Sequence, residues 1–391
     1  MPDVYISRQP LVNRQSKIIA TRLTLHLEPG ATTKDAAAAL GALTEFWPQG
    51  EKLVFINCGQ TPCDETLFEW QAPANATIEA HSASLVGPDA GPFIAVLQAT
   101  PVSLCLLFES QTQAALASGV PFRFIALDAQ RYTPMQLKSL ATQTQPFGIS
   151  VALNVNDGPE FQACLDAGVS AAASWFFMHP TKAPAKALNP GQAQIVRVLN
   201  LVRRNADVKE IEVALKQDVA LSYKLLRYIN SAGFGLSCEV QSFRHAVTIL
   251  GYDKLNKWLS LLLATASKDP MAPALMHTAL ARARLMEVLA TGLVEPQEYD
   301  NLFITGAFSM LDALLGVSMD KVLESMSLPA SIVDALLGHG GVYGPFLELA
   351  KASEGDDGKA VADQASMLGL SADQFNRAQM QALAFADTME L

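Results

Sequence analysis

The groups able to do chemistry are few and scattered along the 391 residues. The stretch RYINSAGFG, Arg227 to Gly235, sets Asn230 and Ser231 beside two glycines. Such side chains can line a polar ligand notch, but they also bond the backbone groups that a helix end leaves unpaired. DVALSYKLLRYI before it reads as a helix with Asp218 as N-cap and Leu221, Leu225 and Ile229 on one face. Gly233 and Gly235 permit positive φ, so the chain turns before EVQSFRHAVTILG opens the next helix. A helix stop and turn accounts for every residue; a binding notch is the functional alternative. His245, His277 and His339 have no second His or acid at i+3 or i+4, so they do not compose a dinuclear metal site. His277 follows a Pro-rich loop and is expected at the surface or at a helix cap. GHGGVYG, Gly338 to Gly344, follows a helix and lacks the Lys of a P-loop, so it reads as a helix end and connection. The five cysteines include no second pair to complete a zinc site with Cys58 and Cys63, and are expected as buried free thiols.

The chain is long enough for two or three domains. With 50% hydrophobic and 17% charged residues it has ample material for their cores. A net charge of −10 and the lack of a basic stripe argue against nucleic acid as a partner. The longest apolar run, Trp258 to Ala266, is far short of a membrane span, and MPDVYISRQP carries no secretory signal. A cytoplasmic protein is the expectation.

Two periods divide the sequence. Over 1–180, eight short β-rich runs (VYIS, KIIATRLTL, KLVFIN, ATIEA, VSLCLLF, FRFIALD, GISVALNV, AAASWFF) alternate with Ala-rich helical segments. That order implies parallel pairing in an α/β layer or a small, trimmed barrel. Residues 181–193, with Pro184 and Pro190, read as a linker. Over 194–391 the period is helical throughout. SFRHAVTILG opens on Ser242 as N-cap and closes on Gly251, and Ser371 with Gln374 forms a capping box.

The residues from Asp218 onward closely resemble the signature of the HDOD family, a helical output domain of bacterial signalling proteins. The matching positions are Leu225, Leu226, Asn230, Ser231, Ala232, Ser242, Ala246, Leu250 and Gly251. HDOD domains are similar in fold to HD-type metal phosphohydrolases and lack their paired His and Asp ligands. Where such a pair would lie, this chain has Ser309, Met310, Leu311 and a lone Asp312.

The beginning, with RQPLVNRQSKI, resembles the EAL domains that are fused to HDOD. Intact EAL domains hydrolyse cyclic di-GMP with divalent metals held by acidic and Asn side chains. The resemblance matches Asn57, Glu79 and Asp128 to surviving ligands. It puts Arg22 where the EAL glutamate stands, Ala129 at the second Asp, Asn156 at the late Glu, and Ala173, Ser174 and Trp175 at the QGY motif. A cation in place of a metal ligand opposes the metal electrostatically. Arg22 and Arg131, near strand ends, are compatible with phosphate binding.

These readings lead to one expectation: a degenerate TIM-like, EAL-type α/β barrel followed by an all-α HDOD domain. The protein is expected to be non-catalytic, without cofactor, and to regulate by contact with partner proteins. A cyclic di-GMP sensor without hydrolysis is the alternative, with an active phosphodiesterase third. Phe234, Tyr343 and Phe346, aromatics on expected loops, are the candidate anchors for a partner.

Overall fold

The computed structural model describes residues 3–389 except 179–187, 217–241, 243, 246, 248, 250, 253, 254, 257, 258 and 261–268. The described chain divides into two compact units, one of Met1–Thr181 with Lys351–Met380 and one of Lys182–Ala350 with Gln381–Leu391.

In the first unit eight strands form a closed barrel in chain order. β1 (Val4–Asn13) and β2 (Ile18–Leu27) make an antiparallel hairpin. β2 then pairs in parallel with β3 (Leu53–Asn57), followed by β4 (Ala76–His81), β5 (Ser103–Leu107), β6 (Phe124–Asp128), β7 (Ile149–Leu153) and β8 (Ala171–Ala173). These are the eight apolar runs expected from the sequence, connected through α1 (Thr33–Leu43), α2 (Ala90–Ala99), α3 (Thr112–Leu116), α4 (Pro134–Thr144) and α5 (Gly158–Asp166). Alternate residues point inward, as a pleated strand requires. Leu11, Ala20, Phe55, Cys105, Leu107, Phe124, Ala126, Val151 and Ala173 fill the interior, with the Phe55 and Phe124 rings 5.1 Å apart.

β8 is three residues long and pairs with β1 only over Leu11–Asn13. The edge of β1 from Val4 to Arg8 therefore needs other partners, because buried backbone groups left unpaired are costly. The C-terminal segment supplies most of them. Ile6 N donates to Asn376 Oδ1 (3.1 Å), Asn376 Nδ2 donates to Val4 O (2.7 Å), and Gln379 Nε2 donates to Ile6 O (2.8 Å). Arg8 N donates to Ser353 O (2.8 Å), while its guanidinium pairs with Glu354 at 3.0 Å, both side chains buried. Asn and Gln amides offer a donor and an acceptor together, so helix Ala372–Thr388 stands in for a strand edge. Its start is the expected capping box, with Ser371 N donating to Gln374 Oε1 (2.9 Å) and Gln374 N to Ser371 Oγ (3.2 Å). The sequence reading gave all of 194–391 to the helical half; the edge of β1 instead draws Lys351–Met380 into the barrel unit.

The second unit is helical among its described residues. α6 (Pro190–Arg203) begins at a residue the sequence reading assigned to the linker 181–193. Pro190 is its first residue, behind an Asn189–Gln192 capping box, where the missing N–H of proline costs nothing. α7 (Val208–Lys216) packs against it. Helix Ala272–Leu289 is buried along most of its length, and helix Tyr299–Phe308 crosses it at Gly306. A Cβ on Gly306 would lie 2.6 Å from Ala283 Cα, so the approach admits only glycine. His277 is not the surface or capping histidine expected from its flanks. It is largely buried and bonded to Asp387 at 2.8 Å, a partner 110 residues away.

The edge capping is testable by chemical denaturation. Asn376→Ala orphans Ile6 N and Val4 O, and should cost about 1–3 kcal/mol for each group left unpaired. Gln379→Ala should cost less, since only one carbonyl loses its partner. Deletion of 351–391 should abolish cooperative unfolding of the barrel; a barrel that unfolds normally without that segment would show the edge to be satisfied otherwise.

Candidate functional site

Strand alternation carries four polar side chains, Gln9, Arg22, Asn57 and Glu79, into the barrel toward the carboxyl ends of the parallel strands. Arg22 Nε donates to Glu79 Oε1 (2.7 Å) and Nη2 to Oε2 (2.8 Å), a bidentate pair with the Arg22 side chain 11% and the Glu79 side chain 1% exposed. Asn57 Nδ2 donates to the same Oε2 at 2.8 Å, and Asn57 Oδ1 accepts from Gly59 N (2.8 Å). The remaining Arg22 nitrogen, Nη1, reaches Gln9 Oε1 at 3.4 Å. Gln9 Nε2 in turn donates to Asp356 Oδ1 (3.2 Å). Burial alone would lower the Arg22 pKa; Glu79, and behind it Asp356, outweigh that and raise it. Burial first and then Glu79 push the Cys105 thiol well up, which keeps it neutral beneath the pair. Cys58, Cys63, Cys105 and Cys164 are all buried and free.

Above this group lies a cavity of about 820 Å³ at the strand ends. Arg22, Thr24, His26, Asn57 and Asn154 form its barrel side; Asp356, Gly358 and Lys359 form a wall from the C-terminal segment. Burial lowers the His26 pKa, with Asp356 and Asp357 opposing, so the ring is neutral at pH 7. Its Nε2 lies 2.8 Å from Ser7 Oγ.

The divalent metal implied by the EAL resemblance does not fit this arrangement. Both Glu79 oxygens hold the guanidinium, Asn57 is used twice, and a metal there would face a fixed positive charge. Among the described residues no three His, Cys, Asp or Glu side chains are grouped so as to hold a metal ion.

Of the residues singled out by sequence, the structure brings together Arg22, Asn57 and Glu79. Asp128 stays apart, accepting from Gln130 N (3.0 Å) and paired with Arg131 at 3.1 Å. Ala129 is buried; Asn156 N donates to Glu160 Oε2 at 2.7 Å. Ala173 belongs to β8, Ser174 Oγ donates to Val155 O, and Trp175 Nε1 donates to Arg8 O (3.2 Å). Ser242 Oγ accepts from His245 N (3.2 Å), the N-cap expected of it, and Gly251 has φ +73°. Leu225, Leu226, Asn230, Ser231, Ala232, Phe234, Ala246 and Leu250 lie outside the described residues. Tyr343 and Phe346 are corrected as exposed anchors: they are 2% and 3% exposed, Phe346 inside helix Gly344–Ala352 and the Tyr343 hydroxyl bonded to Glu298. The glycines beside them suggested a loose loop, but glycine here supplies positive φ at 338, 340 and 341 while the aromatics turn inward. Gln9, His26, Asp356 and Lys359 escaped sequence reading; about 350 residues separate the two sides of the cavity, and nothing local marks them.

Residues 190–319 match the HDOD domain model. The chain is 29% identical over 233 residues to the cyclic di-GMP phosphodiesterase CdgJ of Vibrio cholerae serotype O1, a match covering 59% of this chain and 54% of that protein. It is 24% identical over 378 residues to the uncharacterized protein YuxH of Bacillus subtilis, covering 90% of this chain and 91% of that one. A solved EAL domain protein from Listeria monocytogenes aligns over 45% of this chain and 87% of its own, at 14% identity and a TM-score of 0.35. The HDOD match lies in the helical part of the chain, and the part before it is the closed eight-stranded barrel. The expectation that it is not an enzyme is corrected by CdgJ, a relative named as a phosphodiesterase. No helix among the described residues is long and apolar enough to cross a membrane.

Replacing Arg22 tests the electrostatics directly. Arg22→Leu leaves Glu79 buried without its countercharge and should cost about 3–5 kcal/mol. Arg22→Glu sets two carboxylates together, so its melting temperature should fall in EDTA and rise again with millimolar Mn²⁺. The wild-type protein should melt at one temperature in both; a Mn²⁺ shift of the wild type would show that metal displaces the guanidinium.

Proposed function

We propose that the cavity at the barrel mouth binds cyclic di-GMP, and that the protein is a bacterial signalling regulator whose helical half delivers the output to a partner protein. The observation that carries this reading is the cavity itself, floored by a buried guanidinium whose Nη1 makes, among the described residues, only a long contact to Gln9. At about 820 Å³ it falls within the range of small-ligand sites. Arg22 Nη1 and the ammonium of Lys359 can both donate to phosphate oxygens. The kinship with CdgJ supports this choice of dinucleotide.

CdgJ also favours a second reading, hydrolysis of the same ligand. As the side chains stand, a metal-dependent reaction requires Arg22 to leave Glu79 first. One experiment on the full chain addresses both. Calorimetry should give saturable binding of cyclic di-GMP, weakened about tenfold or more in Arg22→Lys, which keeps the charge and loses the fork. Chromatography of the same mixtures with Mn²⁺ reads turnover, and turnover lost in Glu79→Gln would establish the phosphodiesterase. Absence of saturable binding up to millimolar ligand would refute the proposal.

A further inference from the structure

We infer that Asp356, on the segment that returns from the far end of the chain, selects guanine at this cavity. The inference rests on the reading that a dinucleotide occupies the barrel mouth.

The barrel floor is poor in free acceptors. Arg22 and Asn57 occupy the Glu79 carboxylate, and Gly59 occupies the Asn57 carbonyl. Guanine presents two adjacent donors, N1–H and N2–H, and a carboxylate is the group that accepts both at once. Asp356 and Glu28 are the two carboxylates among the residues lining the cavity. Asp356 is the anchored one, because Gln9 Nε2 donates to its Oδ1, while Oδ2 has no hydrogen-bond partner among the described residues.

The backbone that carries Asp356 is also fixed. Just upstream, the buried Arg8–Glu354 pair and the Arg8 N to Ser353 O bond tie it to β1. Just downstream, Gly358 lies against the His26 ring so closely that a Cβ would fall 2.3 Å from His26 Cγ. Asp357 then accepts from Lys359 N and Ala360 N and starts helix Gly358–Met367. A carboxylate held this way loses little freedom when it meets a ligand. Adenine turns an acceptor, N1, toward the same position, so lone pair would face lone pair. Lys359, one turn of chain further on, makes no ion pair among the described residues and serves the phosphates, which do not differ between bases.

The test compares calorimetric Kd values of the full chain for cyclic di-GMP and cyclic di-AMP. The wild type should prefer the guanine ligand about tenfold or more, the size of one bidentate base contact. Asp356→Ala should erase that preference by weakening the guanine ligand alone. Lys359→Ala should weaken both ligands alike, and Glu28→Gln should leave the preference in place. Asp356 is solvent-exposed, so its replacement should leave the melting temperature close to that of the wild type; Asp356→Asn, which can accept only one of the two bonds, should give an intermediate preference. If Asp356→Ala keeps the preference, or binds the guanine ligand more tightly, the assignment is wrong while the cavity reading stands. If the wild type binds neither dinucleotide, the cavity reading itself fails and the assignment with it.

Discussion

The shortness of β8 shapes the barrel unit. Three residues cannot cover a ten-residue first strand, so the outer edge of β1 has to be satisfied by something that is not a strand. Side-chain amides on a helix do it, one bonding in both directions and another capping a carbonyl, with a backbone carbonyl and a buried ion pair completing the row. Because these groups belong to the last forty residues, sealing the edge also carries Asp356, Gly358 and Lys359 to the mouth of the barrel. The wall of the cavity is thus a by-product of closing the sheet.

Within the barrel, charge is balanced by side chains alone. A guanidinium offers fixed, planar donors to a carboxylate, so Glu79 is satisfied in direction as well as in sign. The pair is worth little as net stabilisation, since two charges have been taken from water. Its effect is to fix the position of a cation at the floor of a large cavity, with Gln9 passing the connection on to Asp356.

The periodicity of the sequence was enough for the eight strands and the helical second half, because period 2 and period 3.6 are local properties. Arg22, Asn57 and Glu79 were legible as one group through family resemblance, and the structure gives that group its geometry. The same resemblance places Asp128 in that site, but its neighbour Arg131 and the turn at Gln130 hold it locally. Tyr343 and Phe346 misled because glycines beside them signal turns, and a turn says nothing about which way an aromatic points. Pro190 stands in a proline-bearing stretch of little periodicity that reads as a linker, yet proline is at home in the first turn of a helix. The return of the C-terminal segment left no local trace. Asn376 and Gln379 look like ordinary surface amides of an amphipathic helix until β1 is placed beside them.

The amides that seal β1 stand about 370 positions after the groups they bond. At roughly 5–20 residues per second of synthesis, these amides emerge tens of seconds after β1. From the completion of β8 until those amides arrive, the barrel strands are present but one edge is open, the form of sheet most prone to pair with another chain. Contacts of such long range also slow the final closure, since their loop entropy is spent before they form. Synthesis therefore imposes an order in which most of the helical unit emerges while the barrel remains unsealed, and the last piece of that unit, Gln381–Leu391, follows only after the amides that seal β1.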